Sequence, residues 1–176
     1  MCNISFIDNL SIIYYKNFLI VKSYHAHVVF DISRFKDDKT FITFKANFLC
    51  LVKGKGLLDK GFETRFRSIM AGMNYFYFKK LNLVGIGFRA WVLHDKNKQK
   101  KLILKFGFSK HIVLVIPKEV IVFCLRSGSI IVKGPNKEIT NFVSSRIRFL
   151  KRVNVYKGKG ILYDNEVVTL KLGKQK

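Results

Sequence analysis

A chain of 176 residues that is 49% apolar is long and apolar enough to pack a core, which argues against disorder as its main state. Its formal net charge of +22 repels itself, so a counter-charge belongs to the native state, with nucleic acid ahead of an anionic membrane surface. Three scattered cysteines, Cys2, Cys50 and Cys124, form no CxxC pair, which argues against a disulfide framework or zinc site and fits a reducing compartment.

In chain order, the opening Met1-Cys2-Asn3-Ile4-Ser5-Phe6 has neither a secretory signal pattern nor the Arg- and Ser-rich start of a transit peptide. Residues 11–21, 27–32 and 40–52 are rich in Ile, Val, Phe and Tyr and predict strands. Lys53-Gly54-Lys55-Gly56 breaks the pattern. Across residues 62–80, Phe62, Phe66, Ile69, Met70, Met73 and Phe76 recur at helical spacing, which predicts a helix. A first unit closes near residue 78. In the second, residues 81–93 suit a strand, and a turn rich in lysine follows (Lys96, Lys98, Lys100, Lys101). Residues 102–108 place Leu102, Leu104, Phe106 and Phe108 on one strand face. Shorter strands are expected at 111–116, 120–125 and 129–133, with Arg126-Ser127-Gly128 turning between the last two. Gly134-Pro135-Asn136 announces a helix capped by Asn136, whose apolar stripe is Phe142, Val143, Ile147 and Leu150. Arg146, Arg148, Lys151 and Arg152 gather in its last two turns, where they complement the helix dipole. Residues 153–176 form a basic tail with one expected strand at 166–170. Each unit thus runs through several strands into one helix, the pattern of a duplicated α+β module.

Charge is unevenly divided. Residues 1–78 carry +5 and residues 79–176 carry +17. No apolar run approaches the roughly 18–20 residues of a membrane span, and no membrane is among the expected partners; a peripheral membrane protein is a rival expectation, since residues 139–152 partly fit a basic amphipathic helix. Val84-Gly85-Ile86-Gly87-Phe88-Arg89-Ala90 imitates a dinucleotide fingerprint, but an apolar strand-like run follows where a helix is required, and no acid lies in residues 96–118. The glycines there are expected to bend a strand or relieve crowding. Gly56 and Gly61 have P-loop spacing, yet Phe62 stands where lysine is needed. His25 and His27 lack a third metal ligand nearby, and the scattered acids assemble no catalytic pair. No catalysis and no cofactor are expected.

The basic feature that stands out is Tyr156-Lys157-Gly158-Lys159-Gly160-Ile161. It lies in a stretch from 139 to 163 with six basic side chains and no acid. On an extended backbone Lys157 and Lys159 would project to one side, toward phosphates, while Gly158 and Gly160 would let the main chain approach a ligand. With Tyr163 and Glu166-Val167-Val168, this stretch resembles the C-terminal signature of the ribosomal protein L-six family of the large subunit. Lys80-Leu81-x-Leu83-Val84-Gly85-Ile86-Gly87-Phe88-Arg89-Ala90 is similar to the opening of that family's second domain. Leu104-x-x-Gly107-Phe108-Ser109 and Val132-Lys133-Gly134-x-x-Lys137 through Arg146-Ile147-Arg148 follow in the family's order. The resemblance covers residues 62–176, and residues 1–61 by general pattern only. Val153 and Val155 stand where the family has prolines, and Lys110 displaces the family histidine to His111.

The resemblance implies an α+β fold of two tandem similar domains, at 1–78 and 79–152, each a small mostly antiparallel sheet on one helix, followed by the basic tail at 153–176. It implies a structural role, binding large-subunit rRNA near the sarcin–ricin loop and the stalk base through Tyr156, Lys157, Gly158, Lys159 and Gly160. Arg146, Arg148, Lys151, Arg152, Arg89 and Lys110 are further candidates, and neighbouring ribosomal proteins and translation factors are the implied partners. A composition of 25 Lys against 8 Arg, with 18 Ile and 17 Phe, follows A/T-only codons and points to an organellar gene, mitochondrial before plastid, with an AT-rich bacterium as the alternative. A basic RNA-binding module outside the ribosome is the competing expectation.

Overall fold

The computed structural model describes residues 3–5, 10–15, 18–24, 26–33, 41–45, 48–52, 57–94, 99–125 and 128–173. His25, the Lys53-Gly54-Lys55-Gly56 segment, Lys96, Lys98, Arg126 and Ser127 lie outside them. The fold is α+β, and it divides into two compact units, Met1–Phe76 and Tyr77–Lys176.

In the first unit, β1 (Asn3–Ser5), β2 (Ser11–Tyr15), β3 (Phe18–Lys22), β4 (His27–Asp31), β5 (Phe41–Lys45) and β6 (Phe48–Val52) precede helix α1 (Leu57–Asn74). They form two antiparallel sheets, ordered β2-β3-β4 and β1-β6-β5. Alternation decides what is buried. Leu19 opposes Phe30 and Val21 opposes Val28, so one face of β3 and β4 is apolar. Phe66, Ile69, Met70 and Met73 of α1 pack in the same buried cluster. The single strands expected at 11–21 and 40–52 are each two paired strands.

The helix expected at 62–80 is corrected at both ends. It starts at Leu57, and residues 77–80 already belong to β7 (Tyr77–Val84). Tertiary pairing overrides the helical spacing there, because residues 77–80 pair with β12 (Ser129–Gly134), while the end of β7 pairs with β13 (Gly160–Tyr163).

The second unit continues with β8 (Arg89–His94), β9 (Lys100–Lys105), β10 (Ile112–Val115) and β11 (Ile121–Leu125), and after β12 with helix α2 (Lys137–Leu150). One sheet is ordered β11-β12-β7-β13 and the other β10-β9-β8. Both contribute to a single core. Leu81, Ile130, Val132 and Ile161 from the first sheet meet Leu102, Leu104 and Leu114 from the second, with Val143 and Ile147 from α2. The buried hydroxyls Thr140 and Ser144 do not disturb it, since each donates to a carbonyl of its own helix turn, Asn136 O at 2.8 Å and Asn141 O at 2.9 Å. Asn136 caps α2 as its sequence position predicts, its side chain accepting from Glu138 N–H at 2.9 Å.

Three expectations in this unit change. Residues 81–93 are two strands, because residues 85–88 turn, with Phe88 N–H donating to Gly85 O at 3.3 Å. Phe108 leaves the inner face of its strand: β9 ends at Lys105, Gly107 takes φ +77°, and Phe108 is 46% exposed. The tail strand is Gly160–Tyr163, earlier than the expected 166–170.

Candidate nucleic-acid interface

Helix α2 ends at Leu150, with Lys151 as its C-cap. The chain then closes a loop. Asn154 N–H donates to Lys159 O at 2.9 Å, Gly158 N–H to Asn154 O at 2.7 Å, and Ile161 N–H to Lys151 O at 3.0 Å. Inside the loop, the Asn154 side-chain oxygen accepts from Tyr156 N–H at 2.8 Å and Lys157 N–H at 3.3 Å. An Asn side chain has thus taken over the role of a turn backbone. The expectation of an extended backbone at 156–161 is corrected: Val155, Tyr156 and Lys157 lie in a turn, and strand geometry begins only at Gly160.

The two glycines have a local explanation. Gly158 takes φ +66°, a left-handed conformation that favours glycine. Gly160 is buried, and a Cβ there would lie 2.6 Å from Val153 Cα and 2.9 Å from Arg152 O. Its small size lets the returning strand pass against the end of α2. Gly160 thus has a steric role within the protein, beside the close approach to a ligand expected from the sequence.

After β13, Asp164 and Asn165 reverse the chain, and Glu166 N–H donates to Tyr163 O at 3.0 Å. The Glu166 carboxylate accepts Tyr163 N–H at 3.2 Å and takes the Arg148 fork, with Arg148 Nε 3.1 Å from Oε2 and Nη2 on Oε1. The Arg148 guanidinium also lies 5.5 Å from the centre of the Tyr163 ring. Donation from Arg148 holds the Glu166 carboxyl below its usual range, and the same bond raises Arg148 above its own. Asp164 is engaged in parallel. Lys80 Nζ stands 2.8 Å from it and Asn82 Nδ2 donates to it at 3.0 Å, and the Lys80 bond foremost lowers its carboxyl. Further on, Lys171 N–H donates to Val155 O at 3.0 Å. The tail is therefore fastened to the second unit at several points.

Tyr156, Lys157 and Lys159 are exposed on the loop. Lys151 Nζ sits 4.4 Å from the Phe108 ring centre, which brings the 106–110 connection, and with it exposed Lys110, to the root of the loop. Arg146 and Arg152 lie over the exposed rings of Phe142 and Phe149, at 5.6 Å and 4.7 Å. Arg89 opposes Lys105 across β8 and β9, and Lys105 leads directly into the 106–110 connection. Arg148 differs from the other candidates, because its fork is occupied within the protein. Sequence reasoning missed Lys105, Asn154 and Glu166. The first lay inside the strand expected at 102–108, and the other two depend on partners visible only after folding, although Glu166 already stood in the C-terminal signature.

Among the described residues no group of three or more His, Cys, Asp or Glu could hold a metal, and no helix is long and apolar enough to cross a membrane. Fold and surface together define a strongly basic, two-unit α+β protein with a hydrogen-bonded cationic loop closing its second helix. No family model matches the chain. It is 40% identical over 115 residues to large ribosomal subunit protein uL6m of Reclinomonas americana, covering 65% of this chain and 60% of that protein. With uL6 of Alkaliphilus oremlandii it shares 41% identity over 113 residues, covering 64% and 60%. With uL6 of Buchnera aphidicola it shares 33% over 141 residues, covering 80% of this chain and 76% of the relative. The alignments thus span about three fifths of the first two relatives' length. The chain belongs to the large ribosomal subunit protein uL6 family.

Proposed function

We propose that this chain is a structural, non-catalytic constituent of the large ribosomal subunit that holds rRNA through the cationic face of its second unit. The observation that carries this reading is the closed loop at 154–159, which presents Lys157 and Lys159 with no acidic side chain between residues 139 and 163. The acids that follow it, Asp164 and Glu166, are both paired with basic side chains. A polyanion therefore meets uncompensated charge there. Lys157, Lys159, Lys151, Arg152, Arg146, Lys110, Arg89 and Lys105 are the proposed phosphate contacts, and Tyr156 supplies an exposed ring beside them. The relatives' names, all large-subunit ribosomal proteins, support this role. The family resemblance supports a position near the sarcin–ricin loop and stalk base, with neighbouring ribosomal proteins and translation factors as partners. Similarity to a uL6m, together with the A/T-biased composition, supports a mitochondrial ribosome.

Salt titration tests the reading. With about six of these eight cations meeting phosphates at once, log affinity for large-subunit rRNA falls against log salt with a slope of roughly −4 to −5. The K157A/K159A double variant reduces that slope by about 1.5–2. Salt-insensitive binding, or an unchanged slope in the double variant, contradicts it. A basic RNA-binding module outside the ribosome would show the same slope without sedimenting with large subunits.

A further inference from the structure

We infer that the Arg148–Glu166 pair is a positioning element, which sets the 154–159 loop in its RNA-binding shape without either residue touching RNA. The inference rests on the rRNA-binding reading above. The bonds are nested: the Lys159-to-Asn154 closure lies inside the Ile161-to-Lys151 closure, and the 148–166 pair encloses both. The buried core does not reach into the loop, whose apolar contacts are local, Leu170 over Gly158 and Val153 against Gly160. The core side chains on either side of it are Ile147 and Ile161, with Leu150 and Tyr163 against them, and no residue from 151 to 160 joins that cluster. Val155 and Tyr156 are exposed. The loop's shape thus depends on its hydrogen bonds and on whatever fixes its two ends relative to each other. A bidentate fork does this well, because two parallel bonds fix orientation as well as distance. Both side chains are partly shielded, at 32% and 25% exposure, and their charges cancel, so the pair offers a phosphate little attraction.

The two possible roles predict opposite signs for E166Q in the full-length chain, measured against transcribed large-subunit rRNA. Removing an acid beside a polyanion tightens binding if charge alone matters, and it frees Arg148 to reach a phosphate. If the pair positions the loop, E166Q weakens binding about three- to tenfold, since only a fraction of molecules holds the competent loop, and the salt slope stays unchanged. R148K tests the same point with charge conserved: an ammonium cannot span both carboxylate oxygens, so binding weakens at constant slope. Amide exchange at Gly158 and Ile161 accelerates in both variants, while Ile130 in the sheet keeps its protection. Unchanged or tighter binding by E166Q overturns the inference, as does a slope in R148A lower by about 0.7–0.9, the signature of a lost phosphate contact. A normal wild-type slope with an indifferent E166Q removes the positioning role alone. A salt-insensitive wild type removes the rRNA reading itself.

Discussion

Gly160→Ala separates two explanations of the loop glycines. The added Cβ would sit 2.6 Å from Val153 Cα and 2.9 Å from both Arg152 O and Val153 N. These are backbone atoms, so no side-chain rotation relieves the clash, and reaching an ordinary contact requires the two segments to part by close to an ångström. Overpacking of this kind costs about 1–3 kcal/mol. The residue's φ of +154°, unusual for an L side chain, adds about 1–3 kcal/mol. The combined cost, about 2–6 kcal/mol, is capped at the free energy of peeling β13 from β7, after which the strain is released. Gly158→Ala makes the comparison. Its nearest obstacle is Leu170 Cδ2 at 3.4 Å, the movable end of a side chain, so only the left-handed φ opposes it, at about 1–2 kcal/mol. Urea unfolding of the RNA-free protein measures both. A G160A variant within about 0.5 kcal/mol of wild type would refute the reasoning and restore the view that glycine is there for the ligand.

Asn154→Ala leaves the amides of Tyr156 and Lys157 without their acceptor, and amide exchange at both accelerates with a stability loss of about 1 kcal/mol. Glu166 and Asp164 both have carboxyls lowered by folding, so their stabilisation is complete above the unfolded values near pH 4 and is lost as pH falls through the folded ones. Amide signals of Ile161 and Tyr163, followed by NMR through an acid titration, should therefore stay constant from neutral pH to about 5 and change below 4. Burial pushes the Cys124 thiol up to about 11, so alkylation at pH 8 runs on the order of a hundredfold slower than for a free thiol; equal rates would show that folding does not shield this thiol.

Strand and helix content was legible where local pattern and tertiary pairing agree. Asn136 and the stripe of Val143 and Ile147 specified α2, and the alternation of Leu102 and Leu104 specified β9. Legibility failed where the two conflict. Phe76 continues the helical spacing of α1, yet the next residues are taken by a strand paired with β12, a contact some fifty residues away in the sequence. The loop residues Lys157 and Lys159 stood out because they alternate with glycines in a stretch with six basic side chains and no acid. Their shape did not, because it comes from the Asn154 side chain and from Glu166 reaching back to Arg148. Arg148 looked like its basic neighbours until its partner came into view. Charge counted along a sequence cannot separate a cation facing solvent from one already neutralised.

A high-resolution reconstruction of the large subunit carrying this chain tests the central claim most directly. The account predicts Lys157 and Lys159 Nζ within about 4 Å of rRNA phosphate oxygens, with Arg148 still on Glu166. Both lysines facing solvent, away from every phosphate, would contradict it.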